Sequence, residues 1–171
     1  MLQPRPAVLS RIHVSRSDAV VSDAAVALLQ YWRELGGNDG TPAFSAFQLM
    51  DIYRFAPMIF IRDRVEDGNE FRVRFVGTKL TEWLGKELTG KLVRESFTAE
   101  AAKSLLKAFQ TCADENCPVR TVGYADFVEQ REHWNFESFY LPLLGPDGTV
   151  DHVVGAADYQ YKLREDDLPG M

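Results

Sequence analysis

The chain has 171 residues, of which 46% are hydrophobic and 26% charged, and its formal net charge at pH 7 is −6. This length and composition are typical of one globular domain with short extensions. The negative charge argues against nucleic acid or an anionic membrane surface as the main partner, and no apolar run approaches the length of a membrane span.

The N-terminal part of the sequence combines a polar arm with an amphipathic segment. Residues 1–17 contain arginines and prolines but no apolar signal-peptide core, so we expect a flexible arm and a cytoplasmic protein. Apolar residues recur at helical spacing from Val21 to Leu35, which predicts a helix that begins after Ser17 or Ser22. This helix and an irregular connector make up residues 18–55. Its apolar stripe needs a surface to cover, either its own sheet or a second copy of the chain.

The central region predicts two antiparallel strands followed by a group of helices. Residues 57–65 and 71–76 have strand character and are joined by a hairpin turn. After Gly77 the apolar residues change to helical spacing, and glycines divide this stretch into short helical turns. Thr98 is the expected N-cap of a longer helix that runs to residue 115. Together these helices would form a lobe beside the sheet, and such a lobe encloses a small cavity.

Three further strands are predicted in the C-terminal half, over residues 119–128, 134–144 and 150–161. They are joined by a charged turn and by a Gly-Pro-Asp-Gly turn, and such short links predict an antiparallel meander. A charged tail follows over residues 162–171. The predicted fold class is therefore α+β, with five antiparallel strands and a lobe of short helices on one face.

Several segments, in this order along the chain, resemble a PAS domain of a bacterial stand-alone subfamily. They read LLQYWRELGG, AP before the first strand, FRVRFVGTKLTEWLGKELTGK and YLPLLGPDG. The resemblance covers residues 26–161 and implies a PAS core at 56–161 with the strand order 2-1-5-4-3. It also implies a sensory or interaction module that binds haem, a flavin, a small metabolite or nothing, and that dimerises through a helix before the core.

The sequence does not identify a cofactor, but it argues against haem and flavin. The three histidines, His13, His133 and His152, lie outside the helices where a PAS haem ligand is expected. No segment matches the reactive-cysteine motif of flavin-binding light sensors, and Cys112 and Cys117 do not fit a coumaryl attachment site. We expect surface histidines, two reduced thiols and no metal site.

The candidate site is the cavity between the sheet and the lobe, which the sequence allows to be either a closed core or a ligand pocket. Apolar residues would form most of its wall, with a few polar groups from the meander. The predicted lining consists of Ile59, Ile61, Val73, Phe75, Leu80, Leu84, Leu88, Leu106, Phe109, Val122, Tyr124, Ser138 and Tyr140.

We predict a non-enzymatic regulatory module that acts in signal transduction through protein–protein interaction, gated by a small ligand if the cavity is open. It would form a homodimer through residues 21–35 and the outer sheet face, so charge at Leu28 and Trp32 would produce monomers. The helices around the core are too few for a kinase, cyclase or DNA-binding unit, so we expect a separate effector protein.

The alternative is a small-molecule enzyme or carrier on a similar shell. Such a protein needs convergent titratable groups in its cavity. The sequence offers only three candidates for such titratable groups, namely Tyr124, Tyr140 and Glu137.

Overall fold

The computed structural model describes residues 7–36, 40–127 and 133–162. The expectations for residues 1–6, for the loop at 37–39, for the charged turn at 128–132 and for the tail at 163–171 lie outside the described residues. Six strands form one antiparallel sheet: β1 (Ala7–Ser15), β2 (Ile59–Val65), β3 (Glu70–Val76), β4 (Val119–Phe127), β5 (His133–Leu144) and β6 (Val150–Tyr161).

Four α-helices accompany this sheet in the described part of the chain: α1 (Asp23–Gly36), α2 (Thr78–Leu84), α3 (Val93–Ser96) and α4 (Ala99–Glu115). Short 3-10 turns fill the connector after α1 and the loop between β2 and β3: Phe44–Ala46, Leu49–Ile52, Ala56–Met58 and Glu66–Gly68. Among the helices within these ranges, none has the length and apolar character needed to cross a membrane.

The sheet has the order β1-β4-β5-β6-β2-β3, which confirms the α+β class and corrects the strand count from five to six. The five predicted strands follow the implied order 2-1-5-4-3, and β1 adds a sixth beside β4. Residues 7–15 were expected in a flexible arm, but they pair with β4 instead. Their alternation is interrupted at Arg11, which has a φ of 49°, and the register shifts between Ser10 and His13. That bulge hides the strand pattern in the sequence.

Helices α2, α3 and α4 cover one face of the sheet, here called the inner face. The N-cap of α4 is Thr98 as predicted, since its hydroxyl accepts a hydrogen bond from Ala101 N at 3.4 Å. The helix ends at Asn116, whose left-handed φ of 49° is typical of a helix C-terminus. The apolar side of α4 is buried against the sheet through Leu105, Ala108 and Phe109.

Helix α1 covers the opposite, outer face of the same sheet. It begins after Ser22, the second of the two expected starts. Leu28 is fully buried in a cluster with Phe139 and Leu141 of β5. The indole Nε1 of Trp32 donates a hydrogen bond to the Pro142 carbonyl at 2.8 Å. The apolar stripe therefore covers the sheet of its own chain, and Leu28 is not available to a second copy as the predicted dimer contact required.

Candidate functional site

A cavity lies between the inner sheet face and the helices that cover it. Its volume is about 40 Å³. This is narrow for a ligand pocket but large enough for several waters or a small molecule. Its lining is formed by Leu9, Phe60, Arg62, Val73, Val76, Leu80, Leu84, Leu88, Phe97, Leu105, Phe109, Phe136, Ser138, Tyr140 and Tyr159.

Strand β2 presents different residues to the cavity from those the sequence predicted. Phe60 and Arg62 line the cavity, whereas Ile59 and Ile61 belong to the cluster on the outer face. The prediction assigned the wrong alternate residues of β2 to the cavity. All four side chains are buried, so burial does not show which of them face it. A strand that is covered on both faces has no polar side to identify which alternate set faces the cavity.

Strand β3 changes faces partway along its length. Val73 lines the cavity as predicted, but Phe75 packs against the outer cluster. The pairing with β2 shifts between Ile61 and Arg62, where one extra residue of β3 is inserted. This bulge reverses the alternation, so that Val76 and not Phe75 faces inward.

Strand β5 contributes two predicted lining residues, and β4 contributes neither of its two. Ser138 and Tyr140 line the cavity. Val122 pairs with Glu137, so its side chain and that of Tyr124 lie on the outer face. The ring of Tyr124 instead lies 5.3 Å from the Arg11 guanidinium. The prediction therefore assigned the wrong alternate residues of β4 to the cavity.

The helical lobe was predicted more accurately than the sheet. Leu80, Leu84, Leu88 and Phe109 all line the cavity, because helical spacing in the sequence marks the buried side of each turn. The exception is Leu106, which is partly buried beside the core, whereas its neighbour Leu105 faces the cavity. Whether this lining binds a molecule stays a prediction.

Eight lining residues were missed by the sequence reasoning: Leu9, Phe60, Arg62, Val76, Phe97, Leu105, Phe136 and Tyr159. Leu9 was hidden by the expected disorder of its strand. A signal was available for Arg62, since a charged residue within the apolar run of β2 has to be accommodated in the interior.

Arg62 is the cation of the cavity. Its side chain is buried, and Nη1 donates hydrogen bonds to the carbonyls of Phe71 at 3.0 Å and Lys91 at 3.4 Å. Its guanidinium carbon lies 5.4 Å from the centre of the Phe109 ring, within the range of a cation–π contact. Burial lowers the pKa of Arg62 to about 10, so the group is still protonated at neutral pH.

Two phenols face the same cavity. Burial raises the pKa of Tyr140 and of Tyr159, so both hydroxyls are neutral donors at physiological pH. The Tyr140 hydroxyl is 3.3 Å from Thr121 Oγ1. The Tyr159 ring packs edge-on against Trp83 at 5.5 Å between ring centres. The polar atoms of the lining are therefore a guanidinium, two phenols and the Ser138 hydroxyl.

The other nominated chemical groups lie away from the cavity. Glu137 is fully buried on the outer face, where it pairs with Arg120 at 2.7 Å. His152 Nδ1 is 2.7 Å from Asp63 Oδ1. Burial in α4 raises the pKa of the Cys112 thiol well above its ordinary value. The side chain of His133 lies outside the described residues.

Comparison with solved structures supports the fold. The chain is similar to the solved structure of an RNA-binding light-oxygen-voltage receptor, with a TM-score of 0.51 and 12% sequence identity. The match covers 91% of this chain and 39% of that receptor, so the chain spans well under half of the receptor's length. At this identity the likeness shows the fold alone.

The family comparison identifies the chain. No curated protein matches the sequence. The family model for the PAS domain matches residues 20–158, which include α1, the strands β2 to β5 and most of β6. The chain therefore belongs to the PAS domain family.

Proposed function

We propose that this PAS protein is a cytoplasmic, non-enzymatic regulatory module that binds a small molecule in its inner cavity and passes the occupancy of that cavity to a separate protein. The observation that carries the proposal is the cavity itself. Its wall is apolar except for a few converging polar groups, chiefly Arg62, Ser138 and Tyr140. Apolar walls with a small number of fixed polar groups are typical of ligand pockets.

The sheet offers a physical route from the cavity to the outer surface. On β5, Ser138 and Tyr140 face the cavity, whereas the residues between and after them, Phe139 and Leu141, pack in the cluster that includes α1. A ligand that shifts β5 on the inner face therefore shifts the surface on which α1 rests. Transmission in this proposal depends on two arrangements of α1 whose populations the ligand changes.

The effector protein, and a second copy of the chain, would meet the side of α1 and its connector that faces solvent. Val26, Met50 and Tyr53 are apolar side chains in this region with exposed fractions of 47%, 78% and 61%. We retain the homodimer as part of the proposal, but we assign it to these residues. The buried stripe around Leu28 stabilises the fold of each protomer.

The alternative, an enzyme or carrier, has less support. Of its three nominated groups, Tyr140 lines the cavity, whereas Glu137 and Tyr124 lie on the outer face. A single phenol whose pKa is raised by burial makes a poor general base at neutral pH. We therefore do not develop this alternative as a second function.

Native mass spectrometry of the purified chain tests the proposal, because it reports bound small molecules and oligomeric state together. We expect a mass excess that disappears on denaturation and is absent from Leu84→Trp, which fills the cavity. Leu141→Met, on the outer face, is the matched control and should keep the excess. Stripped protein that gains no mass in a metabolite extract would contradict ligand gating.

A second measurement tests transmission. Hydrogen exchange in α1 should differ between the loaded and stripped protein if occupancy is passed across the sheet. If α1 exchanges identically in the loaded and the stripped protein although the ligand binds, the regulatory role is contradicted and the protein is a carrier.

A further inference from the structure

We propose that the ligand of the cavity is a small carboxylate with an apolar body, and that Arg62 binds its carboxylate group. This inference rests on the proposed function and specifies the chemical class of its ligand. The observation behind it is a buried guanidinium that donates hydrogen bonds to the protein from one of its three nitrogens.

The hydrogen bonds of Arg62 account for one of its three nitrogens. Both run from Nη1, to the backbone carbonyls of Phe71 and Lys91. A guanidinium has five N–H donors, three of them on Nε and Nη2. Within the described ranges, Nε and Nη2 have no hydrogen-bond partner, and no carboxylate lies within ion-pair distance of Arg62. These two nitrogens form the planar fork that binds a carboxylate through two parallel hydrogen bonds.

The acidic side chain whose charge acts on Arg62 is Glu70, and it is hydrogen-bonded to other groups. Glu70 is buried, and its Oε1 accepts hydrogen bonds from the backbone N–H groups of Phe71 at 2.9 Å and Val93 at 3.0 Å. Its Oε2 lies 3.9 Å from Nη1 of Arg94. Glu70 thus fixes the start of α3 and leaves the charge of Arg62 without a direct counter-ion among the described side chains.

A buried, unpaired cation is costly, and the cavity offers only partial compensation. The face of Phe109 lies near the guanidinium, and the Glu70 carboxylate contributes a favourable charge from beyond ion-pair distance. Burial is the dominant influence on Arg62 and lowers its pKa to about 10. A ligand carboxylate supplies the missing negative charge, whereas a neutral ligand does not and a cationic ligand adds a repulsion.

The rest of the lining determines the size and the apolar character of the remainder of the ligand. Beyond Arg62 the wall is made of aliphatic and aromatic side chains from the lobe and the sheet, such as Val73, Leu80, Leu84 and Phe136. The narrow interior suits one aromatic ring or a short alkyl chain, and Ser138 and the two phenols can hold a second polar group.

Titration with four probes of the same size range tests the inference: benzoate, hexanoate, benzyl alcohol and benzylamine. Binding is followed by NMR of the methyl groups, where Val73 and Leu84 report on the cavity and Leu141 and Leu143 on the outer face. We expect at least one of the two carboxylates to shift the cavity methyls and to bind about 10- to 100-fold more tightly than benzyl alcohol. Benzylamine should bind most weakly.

Two variants separate recognition from a purely structural role of Arg62. Arg62→Met should remove the preference for the carboxylate over benzyl alcohol, and Arg62→Lys should restore part of it because the charge is kept. Arg64→Met, two residues along the same strand and outside the cavity lining, is the matched control and should keep the preference. If Arg62→Met does not fold, the charge preference of the wild-type cavity remains a sufficient test.

Other outcomes would overturn the inference. Benzyl alcohol that binds as tightly as the carboxylates would show that Arg62 has a structural role, while the proposed ligand-gated function would stand. A carboxylate preference that Arg62→Met retains would locate recognition elsewhere. If neither carboxylate shifts the cavity methyls, the ligand class is wrong, and native mass spectrometry decides separately whether the cavity binds a natural ligand.

Discussion

Arg120 Nη2 lies 2.7 Å from Glu137 Oε2 on the outer face of the sheet, and both residues are buried. The same carboxylate accepts hydrogen bonds from the backbone N–H of Ser22 at 2.8 Å and from its hydroxyl at 2.7 Å. Because Ser22 immediately precedes α1, this buried ion pair fixes the position at which the helix starts across the sheet. The helix that faces a partner in our proposal is thus attached to β4 and β5 by one carboxylate.

Replacing Glu137 with Gln should destabilise the fold by about 3 kcal/mol, because it breaks a buried ion pair by removing one of its two charges. Urea unfolding measures the loss. Asp18→Asn is the control, since it removes one carboxylate from the exposed pair that Asp18 forms with Arg33. It should change the free energy of unfolding by less than about 1 kcal/mol. Equal losses in both variants would contradict a special role for the buried pair.

The position of α1 leads to a second prediction. Leu28 is fully buried, whereas Val26 on the same helix is 47% exposed. Leu28→Ala should therefore reduce the free energy of unfolding by about 3 kcal/mol and leave a cavity under the helix. Val26→Ala should change it by less than about 0.5 kcal/mol. A native-like stability of Leu28→Ala in chemical denaturation would mean that α1 does not rest on its own sheet.

The sequence predicted the order of elements well and the facing of strands poorly, and the reason lies in the sheet. Helical spacing identified Leu80, Leu84 and Phe109 correctly, because each helix has one buried side and one solvated side. The central strands are covered on both faces. For Ile61 and Arg62, burial alone does not distinguish the cavity face from the face under α1.

Bulges account for other differences between the predicted and the observed orientation of strand side chains. The one in β3 turns Phe75 to the outer face, and the one at Arg11 interrupts the alternation of β1. A single inserted residue reverses every later side chain of a strand, and neither position contains a glycine that would have marked it in the sequence. The candidate site could therefore be located from the sequence, but the sheet residues that line it could not be assigned.

Gly77, at the corner where β3 leads into α2, gives a third prediction. A Cβ at this position would lie 2.3 Å from the carbonyl oxygens of both Ala56 and Pro57. Since backbone atoms cannot give way as a flexible side chain can, Gly77→Ala should cost about 3 kcal/mol in thermal or chemical unfolding. Gly90→Ala is the control, because its φ is 79° but nothing lies near its Cβ. Strain alone should cost it about 1 kcal/mol, and a larger loss there than at Gly77 would contradict the steric argument.

Asp158 gives a pH-dependent prediction. Its pKa is raised from 3.8, first by burial and then by the charges of Glu137 and Asp23, while a hydrogen bond from Gln160 N opposes the shift. A carboxyl group with a raised pKa binds its proton more tightly in the folded state. Stability is therefore unaffected below the unfolded-state value and decreases as the pH rises from 3.8 through the folded-state pKa.

Asp158→Asn should remove this cost. We expect the variant to be more stable than the wild type by about 0.5 kcal/mol at pH 7, a modest gain because the side chain is only partly buried. The gain should shrink as the pH is lowered towards 4, which urea unfolding at several pH values can follow. Asp147→Asn, in the exposed turn after β5, controls for the loss of one negative charge. A gain for Asp158→Asn that is constant with pH would mean that the amide improves packing or hydrogen bonding and that the buried charge is not the cause.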